Sequence, residues 1–321
     1  MDDLRLVTVT AFDGSERAEV MALLGRIEAG TGHAALSEHK LSELRSAMPP
    51  TDLGPTGGHL SAGIMVWATG GTGLIGYAQI SGDIRSHQFA VETAIDVSVV
   101  GPGPVADALV VTAVDHVAAH NGGALRLWVA RATEADDVRA AEHGFRIERN
   151  LIQLRCPLPL PPRPGRSGPP PRIATRPFRP GQDEAAWLVT NNRAFAGHPE
   201  QGHWELATLI DREQEQWFDP RGFLLLESEG RLAGSCWTKI HAHTNPPMGE
   251  IYVIGVDPDF HGRGWGRSLT QAGLDWLASQ GLAVGMLYVD GDNTAAVSMY
   301  RSMGFVEHHV DRAYIRKVDR A

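Results

Sequence analysis

Residues 249–258 form an apolar run, Gly249-Glu250-Ile251-Tyr252-Val253-Ile254-Gly255-Val256, that stops at Asp257-Pro258 and passes at once into His261-Gly262-Arg263-Gly264-Trp265-Gly266-Arg267. A strand handing over to alternate glycines at the start of a helix builds a nest of main-chain N–H groups aimed at an anion. Such a cradle suits a pyrophosphate. The spacing excludes two common versions of it. A dinucleotide fingerprint needs a third glycine at 267, where Arg267 stands, and a nucleotide P-loop needs a Gly-Lys-Ser/Thr ending that is absent.

Downstream, Val284-Gly285-Met286-Leu287-Tyr288-Val289 reads as a buried strand ending in the turn cluster Asp290-Gly291-Asp292-Asn293. The residues from Thr294 to Met303 read as a helix closed by Gly304. The loop fits Q/R-x-x-G-x-G/A, with His261 in the first place, and Asn293 to Phe305 fits N-x-x-A-x-x-x-Y-x-x-x-G-F. These two strings, in this order, resemble the signatures of the GNAT N-acetyltransferases. The departure at His261 matters little if the cradle works through main-chain donors.

A chain of 321 residues exceeds the usual single domain. Pro157 to Pro180 carries half of the twenty prolines, with Arg163, Arg166, Arg172, Arg176 and Arg179, and reads as a semi-rigid linker. The expected organisation is an N-terminal domain over 1–156, the linker over 157–180 and a C-terminal domain over 181–321. Both halves follow one order of elements. In the second half, strands at 223–227, 231–239 and around Glu250 precede a helix near 268–280, a further strand and the Tyr300 helix. In the first half, strands at 64–68, 74–80 and 94–100 precede a helix near 105–121, a strand at 124–129 and a helix at 135–143 closed by Gly144-Phe145. The expected fold class is therefore α/β: two tandem GNAT-like domains, each a mixed twisted sheet flanked by helices. Gly101-Pro102-Gly103-Pro104 takes the place of the cradle in the first half, and proline has no N–H to donate. No tyrosine matches Tyr300 there. Chemistry is expected in the second half, with a degenerate first half.

Transfer of an acetyl group from a thioester to an amine needs a base for the ammonium proton and a partner for the leaving thiolate. Glu250, on the strand that leads to the cradle, is the candidate base, and strand alternation puts Tyr252 on its face. Tyr300 is the candidate acid. A phenol near pKa ~10 is a weaker acid than a thiol near ~8.5, so a hydrogen bond to the departing sulfur is the lesser role open to it.

Asn191 to Trp204, Trp217-Phe218-Asp219-Pro220, Trp237-Thr238-Lys239 and the Glu250 strand together resemble the mycothiol synthase family of tandem GNAT enzymes over residues 173 to 315. That family acetylates the cysteinyl amine of a cysteinyl-glucosaminyl-inositol. The resemblance implies that Glu38, Glu200, Lys239, Glu250 and Tyr288 contact this substrate. It also implies that acetyl-CoA is held by Ile254, Gly255, Val256 and the loop His261, Gly262, Arg263, Gly264, Trp265, Gly266 and Arg267. Asn293, Thr294, Ala295, Ala296, Val297 and Ser298 on the next helix would join them. Two other readings stay open: acetylation of another small amine, such as an aminoglycoside or an amino acid derivative, and a coenzyme A sensor without catalysis.

A net charge of −9 argues against nucleic-acid and anionic-membrane partners. No apolar run is long enough to span a membrane, and Met1-Asp2-Asp3-Leu4 lacks a leader pattern. A cytoplasmic monomer is therefore expected. Cys156 and Cys236 form no redox or metal spacing, and His241-Ala242-His243 lacks a third ligand, so no metal is expected. With no cysteine beside Glu250, direct transfer between two bound substrates is the expected route.

Overall fold

A computed structural model of the chain describes residues 4–45, 59–68, 73–99, 101–161, 173–198 and 201–321. The first elements are β1 (Leu4–Val9), α1 (Gly14–Thr31), α2 (Glu38–Arg45), β2 (His59–Ala68), β3 (Leu74–Asp83) and β4 (Gln88–Ile95). They are followed by α3 (Pro102–Ala119), β5 (Gly123–Val129), α4 (Glu134–Glu142) and β6 (Arg146–Pro157). The later elements are β7 (Thr175–Pro177), α5 (Glu184–Ala194), α6 (Leu206–Glu213), β8 (Phe223–Ser228), β9 (Arg231–His241) and β10 (Met248–Val256). The chain ends with α7 (Trp265–Ser279), β11 (Val284–Asp290), α8 (Thr294–Ser302) and β12 (Val306–Val318). Two compact units result: residues 1–151 with 310–321, and residues 152–309. Among the described residues no helix is long and apolar enough to cross a membrane.

In the first unit the strands run β1-β2-β3-β4-β5-β12, antiparallel except for the parallel pair β4 and β5. Leu109, Ala113 and Val117 of α3 and Ala140 of α4 are buried with Ile64, Ile80, Val91 and Leu125 of the strands. Val20, Leu23 and Ile27 of α1 and Leu44 of α2 are buried with Met65, Trp67 and Tyr77, which lie at alternate strand positions on the other face. Local chemistry starts the helices. Asp13 caps α1 by accepting from the amides of Ser15 and Glu16, while Glu16 reaches back to the Asp13 amide, and Thr133 with Asp136 does the same for α4. Each is a reciprocal capping box.

The strand expected over 94–100 is β4, Gln88–Ile95, which begins six residues earlier and ends five residues earlier. Asp96 turns the chain by accepting from both the amide (3.2 Å) and the hydroxyl (2.5 Å) of Ser98, the short-range bonding that favours such residues in turns. The valines at 97 and 99, which read as strand, are exposed. The following helix starts three residues earlier than expected, at Pro102, because proline suits the first helical turn, where an N–H has no partner to give up.

In the second unit the order is β6-β11-β10-β9-β8-β7, with β10 and β11 parallel. Trp187 of α5 and Leu209 of α6 are buried with Phe223, Leu225, Trp237 and Val253 on one face. On the other face α7 lies flat against the strands: a Cβ at Gly273 would stand 2.5 Å from Cys236 Sγ and 2.7 Å from Ile251 Cδ1. The end of the proline-rich stretch is not a linker. Residues 175–177 are β7, Phe178 is buried in the core, and Arg176 pairs with Asp183 (2.7 Å) and Glu227 (2.5 Å). Residues 312–318 of β12 pair with β5, so the last strand of the chain completes the first unit.

Candidate active site

The site is built on an irregularity in β10. Its pairing with β9 runs from Met248↔His241 to Ile251↔Thr238, then resumes at Val253↔Trp237, leaving Tyr252 as an extra residue. The bulge puts consecutive residues on one face. Tyr252 packs on Trp217 (ring centroids 5.0 Å) and Trp237 (5.5 Å), and Val253 belongs to the same aromatic core. Glu250 and Tyr252 thus share a face as alternation predicts, but beyond them the pattern is shifted by one residue. The parallel pairing of β10 with β11 stops at Ile251↔Leu287, although the strands continue to Val256 and Asp290. Ile254, Gly255 and Val256 therefore lie where the two strands part at their carboxyl ends, the usual place for a ligand in such sheets.

The cradle follows. Arg193 holds Asp257 through two hydrogen bonds of 2.7 and 3.2 Å, and Asp257 accepts from the Asp259 amide (3.0 Å), fixing the exit from β10. That Arg193 bond is the largest cause holding the Asp257 carboxyl below its ordinary range. Gly262 and Gly264 have φ of +78° and +76°, the left-handed region that glycine enters without strain. Gly264 precedes α7, and no described side chain caps that helix. Its first amides and its dipole are left for an anion. The side chains of the loop do other work. His261 contacts the Val256 carbonyl (2.9 Å), and the Arg263 guanidinium lies over Phe260 and Trp265 and pairs with Glu229 (2.9 Å). Arg267 reaches Ser302 on α8 (2.5 Å). The loop side chains thus brace the nest and leave its backbone amides open.

On the aromatic face, Lys239 stands opposite Glu250 in register. Its ammonium lies 4.6 Å from the Trp217 ring centre and 5.4 Å from that of Tyr252, within range of attraction by both rings. Glu250 is buried at 7% exposure, and its Oε2 lies 2.7 Å from His241 Nε2. Met286 pairs with Glu250, so Tyr288, two residues on, is on the same face of β11. The Tyr288 hydroxyl accepts from Gln153 (2.7 Å). Three predicted substrate residues, Lys239, Glu250 and Tyr288, therefore share one face. The fourth, Glu200, lies outside the described residues. The fifth, Glu38, is the first residue of α2 in the first unit.

Tyr300 stands on the opposite face. It is buried on α8 at 6% exposure. Burial raises its phenol pKa, with a further push from neighbouring Cys236, because a low-dielectric site disfavours the phenolate. Cys236 faces α7 and pairs in register with Ile254, in the part of β10 that has left β11. The Asn293 side chain is spent on capping α8, where it accepts from the Ala296 amide (3.1 Å), and Thr294, Val297 and Ser298 line a shallow depression with Gly291 and Arg301. No cluster of three or more His, Cys, Asp or Glu among the described residues is placed to hold a metal.

Sequence reading missed His241, weighing it only as a metal ligand. Counting along β9 finds it, since it lies two residues beyond Lys239 and so on the same face as Glu250. His198, whose Nε2 is 3.1 Å from Asp290 at the end of β11, was missed too; it belongs to a loop and no periodicity marks it.

A mixed sheet with helices on both faces, parted parallel strands and an uncapped glycine-opened helix define an N-acetyltransferase of the GNAT class. The acetyltransferase (GNAT) family model matches residues 187–305. The whole fold matches a GCN5-related N-acetyltransferase from Sphaerobacter thermophilus with a TM-score of 0.68 at 20% identity, covering 98% of this chain and 96% of that one. It also matches a tandem GNAT protein from the clavulanic acid biosynthesis pathway with a TM-score of 0.70 at 15% identity, covering 99% and 100%. Sequence relatives narrow the class. The mycothiol acetyltransferase of Acidimicrobium ferrooxidans is 39% identical over 91% of both chains, and that of Streptomyces coelicolor is 40% identical over 92% of this chain and 90% of its own. The chain belongs to the mycothiol acetyltransferase family.

Proposed function

We propose that the second unit transfers an acetyl group from acetyl-CoA to the cysteinyl amine of cysteinyl-glucosaminyl-inositol, yielding mycothiol. The observation that carries this reading is the bulged strand β10, which bears Glu250 on one face, parts from β11, and ends in the glycine cradle. The cradle amides from Gly262 to Gly266 and the start of α8 from Asn293 to Ser298 suit the pyrophosphate and its flanks. The main chain of Ile254, Gly255 and Val256 suits the amide-bearing arm of the coenzyme. Lys239, Tyr288, Glu200 and Glu38 are the proposed contacts to a hydroxyl-rich substrate with one amine.

In the proposed step Glu250 takes a proton from the ammonium group and the amine attacks the thioester carbon. The tetrahedral intermediate expels the thiolate toward Tyr300, and the second amine proton ends on the sulfur. An acetylated-enzyme route is disfavoured by Cys236, which has 0% exposure and a thiol pushed up to about 12 by burial, since the thiolate is the nucleophilic form. In the first unit the register of β3 and β4 is unbroken from Gly76↔Ile95 to Asp83↔Gln88, and prolines stand at the helix start, which supports a degenerate site there.

The test is release of coenzyme A from acetyl-CoA by the purified protein. The cysteinyl sugar is offered beside simple amines and aminoglycosides, with Glu250→Gln as control. Release with the cysteinyl sugar alone, lost in the control, is expected. Release only with another amine would keep the acetyltransferase and remove the substrate.

A further inference from the structure

His241 is the last residue of β9, and its main-chain carbonyl accepts from the Thr244 hydroxyl (2.9 Å), which holds the following turn against the strand end. Its ring sits diagonally across from Glu250, with Nε2 2.7 Å from Oε2. The two differ in access to water: the Glu250 side chain is 9% exposed and that of His241 26%. Among the described residues this face also carries Lys239 of β9, Tyr252 of β10, and Tyr288 and Asp290 of β11; His198 pairs with Asp290 (3.1 Å), and Arg155 of β6 bonds Gln153 beside Tyr288. The hydrogen bond from His241 occupies one of the two Glu250 carboxylate oxygens, Oε2, and leaves Oε1 as the one that can meet an amine.

We propose that His241 is a positioning residue for the transfer, donating from Nε2 to Glu250 Oε2 so that the carboxylate is held in place and Oε1 is left to meet the amine. This rests on the assignment of Glu250 as the base. No bond to the substrate passes through His241; the ammonium proton goes to Glu250, and the hydrogen bond from His241 stabilises the charged form that accepts it. The residue thereby sets which of the two carboxylate oxygens works.

The experiment compares the unaltered enzyme with His241→Leu, His241→Gln and Glu250→Gln, measuring kcat and KM for both substrates from pH 5.5 to 9, with a thermal melt of each. His241→Leu is expected to move the acidic limb of kcat/KM upward by about one pH unit. It is also expected to lower kcat at pH 7 about tenfold, with KM for acetyl-CoA unchanged. His241→Gln, whose amide N–H reaches the same oxygen, is expected to recover most of the rate and the original limb. An unmoved limb in a folded His241→Leu enzyme would overturn the proposal, as would His241→Gln behaving like His241→Leu. If Glu250→Gln keeps its rate, the base assignment falls and this inference with it. If Glu250→Gln is inactive and the limb still does not move in His241→Leu, only the role of His241 is lost.

Discussion

The burial of Tyr300 makes a quantitative statement about how the thiolate leaves. An ordinary phenol lies about 1.5 pKa units above a thiol, and each unit is about 1.4 kcal/mol. Handing the proton to the sulfur therefore costs about 2 kcal/mol before burial is counted. Burial raises the Tyr300 phenol further, and the neighbouring Cys236 adds to the shift. Proton donation thus becomes less favourable than in water, whereas a hydrogen bond to the charged sulfur is worth about 1.5–3 kcal/mol in a protein. At about 1.4 kcal/mol per factor of ten, Tyr300→Phe is expected to lower kcat by about 10- to 150-fold. KM for acetyl-CoA should stay nearly unchanged, and the basic limb of the pH profile should keep its place. The assay is steady-state coenzyme A release across pH 6 to 9.5, repeated with acetyl thioesters of more acidic thiols, for which the loss should shrink. A fall of about 10³ or more, in the range of full general-acid catalysis, together with loss of the basic limb, would refute the hydrogen-bond role.

Three further perturbations test the frame around the site. Gly273→Ala gains about 1 kcal/mol of helix propensity but loses about 1–3 kcal/mol to overpacking, because its Cβ would meet Cys236 and Ile251. Its Tm should fall and recover when Cys236→Ala and Ile251→Val are added; a raised Tm in the single variant would contradict the packing. Glu213 is pushed up to about 7, first by burial and then by the charge of Glu184, and its Oε1 is buried with no partner among the described residues. A carboxyl raised in the folded state contributes stability below its unfolded value near 4.5 and loses it as pH rises through about 7. Glu213→Gln should therefore raise Tm at pH 8 and hardly at pH 5, and equal shifts at both would argue against the assignment. Asp257 is the opposite case. Held low chiefly by the Arg193 hydrogen bond, it contributes stability above its ordinary 3.8 and loses it as pH falls through its lower folded value. Asp257→Asn should blunt acid unfolding and raise KM for acetyl-CoA; an unchanged acid midpoint would remove Asp257 from both roles.

The cradle, the strands around it and the helix carrying Tyr300 were legible because each rests on local chemistry: alternation, capping residues and glycines at positive φ. The errors have a common cause. Val97 and Val99 suggested strand by type, but the turn there is set by Asp96 and Ser98 within three residues of each other, and their hydroxyl and carboxyl outweigh β propensity. Residues 173–180 suggested linker by composition, yet Phe178 is buried against Phe223 with ring centres 4.4 Å apart. Composition averages over a segment, whereas the fold uses one aromatic side chain in it. The joining of 310–321 to the first unit depends on which sheet edge is open, and no local pattern encodes that.

The bulge at Tyr252 is the feature that separates the two copies of the fold, and it explains why related strand patterns serve different ends. In β4 the register against β3 is continuous, so alternation carries on to the strand end. In β10 one extra residue resets it, so Val253 and Gly255 face α5 while Ile254 turns to the other side, where α7, Cys236 and Tyr300 lie. Were Tyr252 paired in a regular ladder, the face that carries Glu250 would be continued by Ile254 and Val256. A bulge is defined by the partner strand, not by the bulged one, and Gly249 to Val256 reads the same with or without it. Restoring register by deleting Tyr252 should therefore leave the second unit folded, because β9 and β10 keep their other pairs. Val253 to Val256 would stay in their present pairs and face as they do now, but the deletion should abolish coenzyme A release by removing the bend at which β10 leaves β11. A variant lacking Tyr252 that keeps its activity would show that the strand irregularity is incidental to the site.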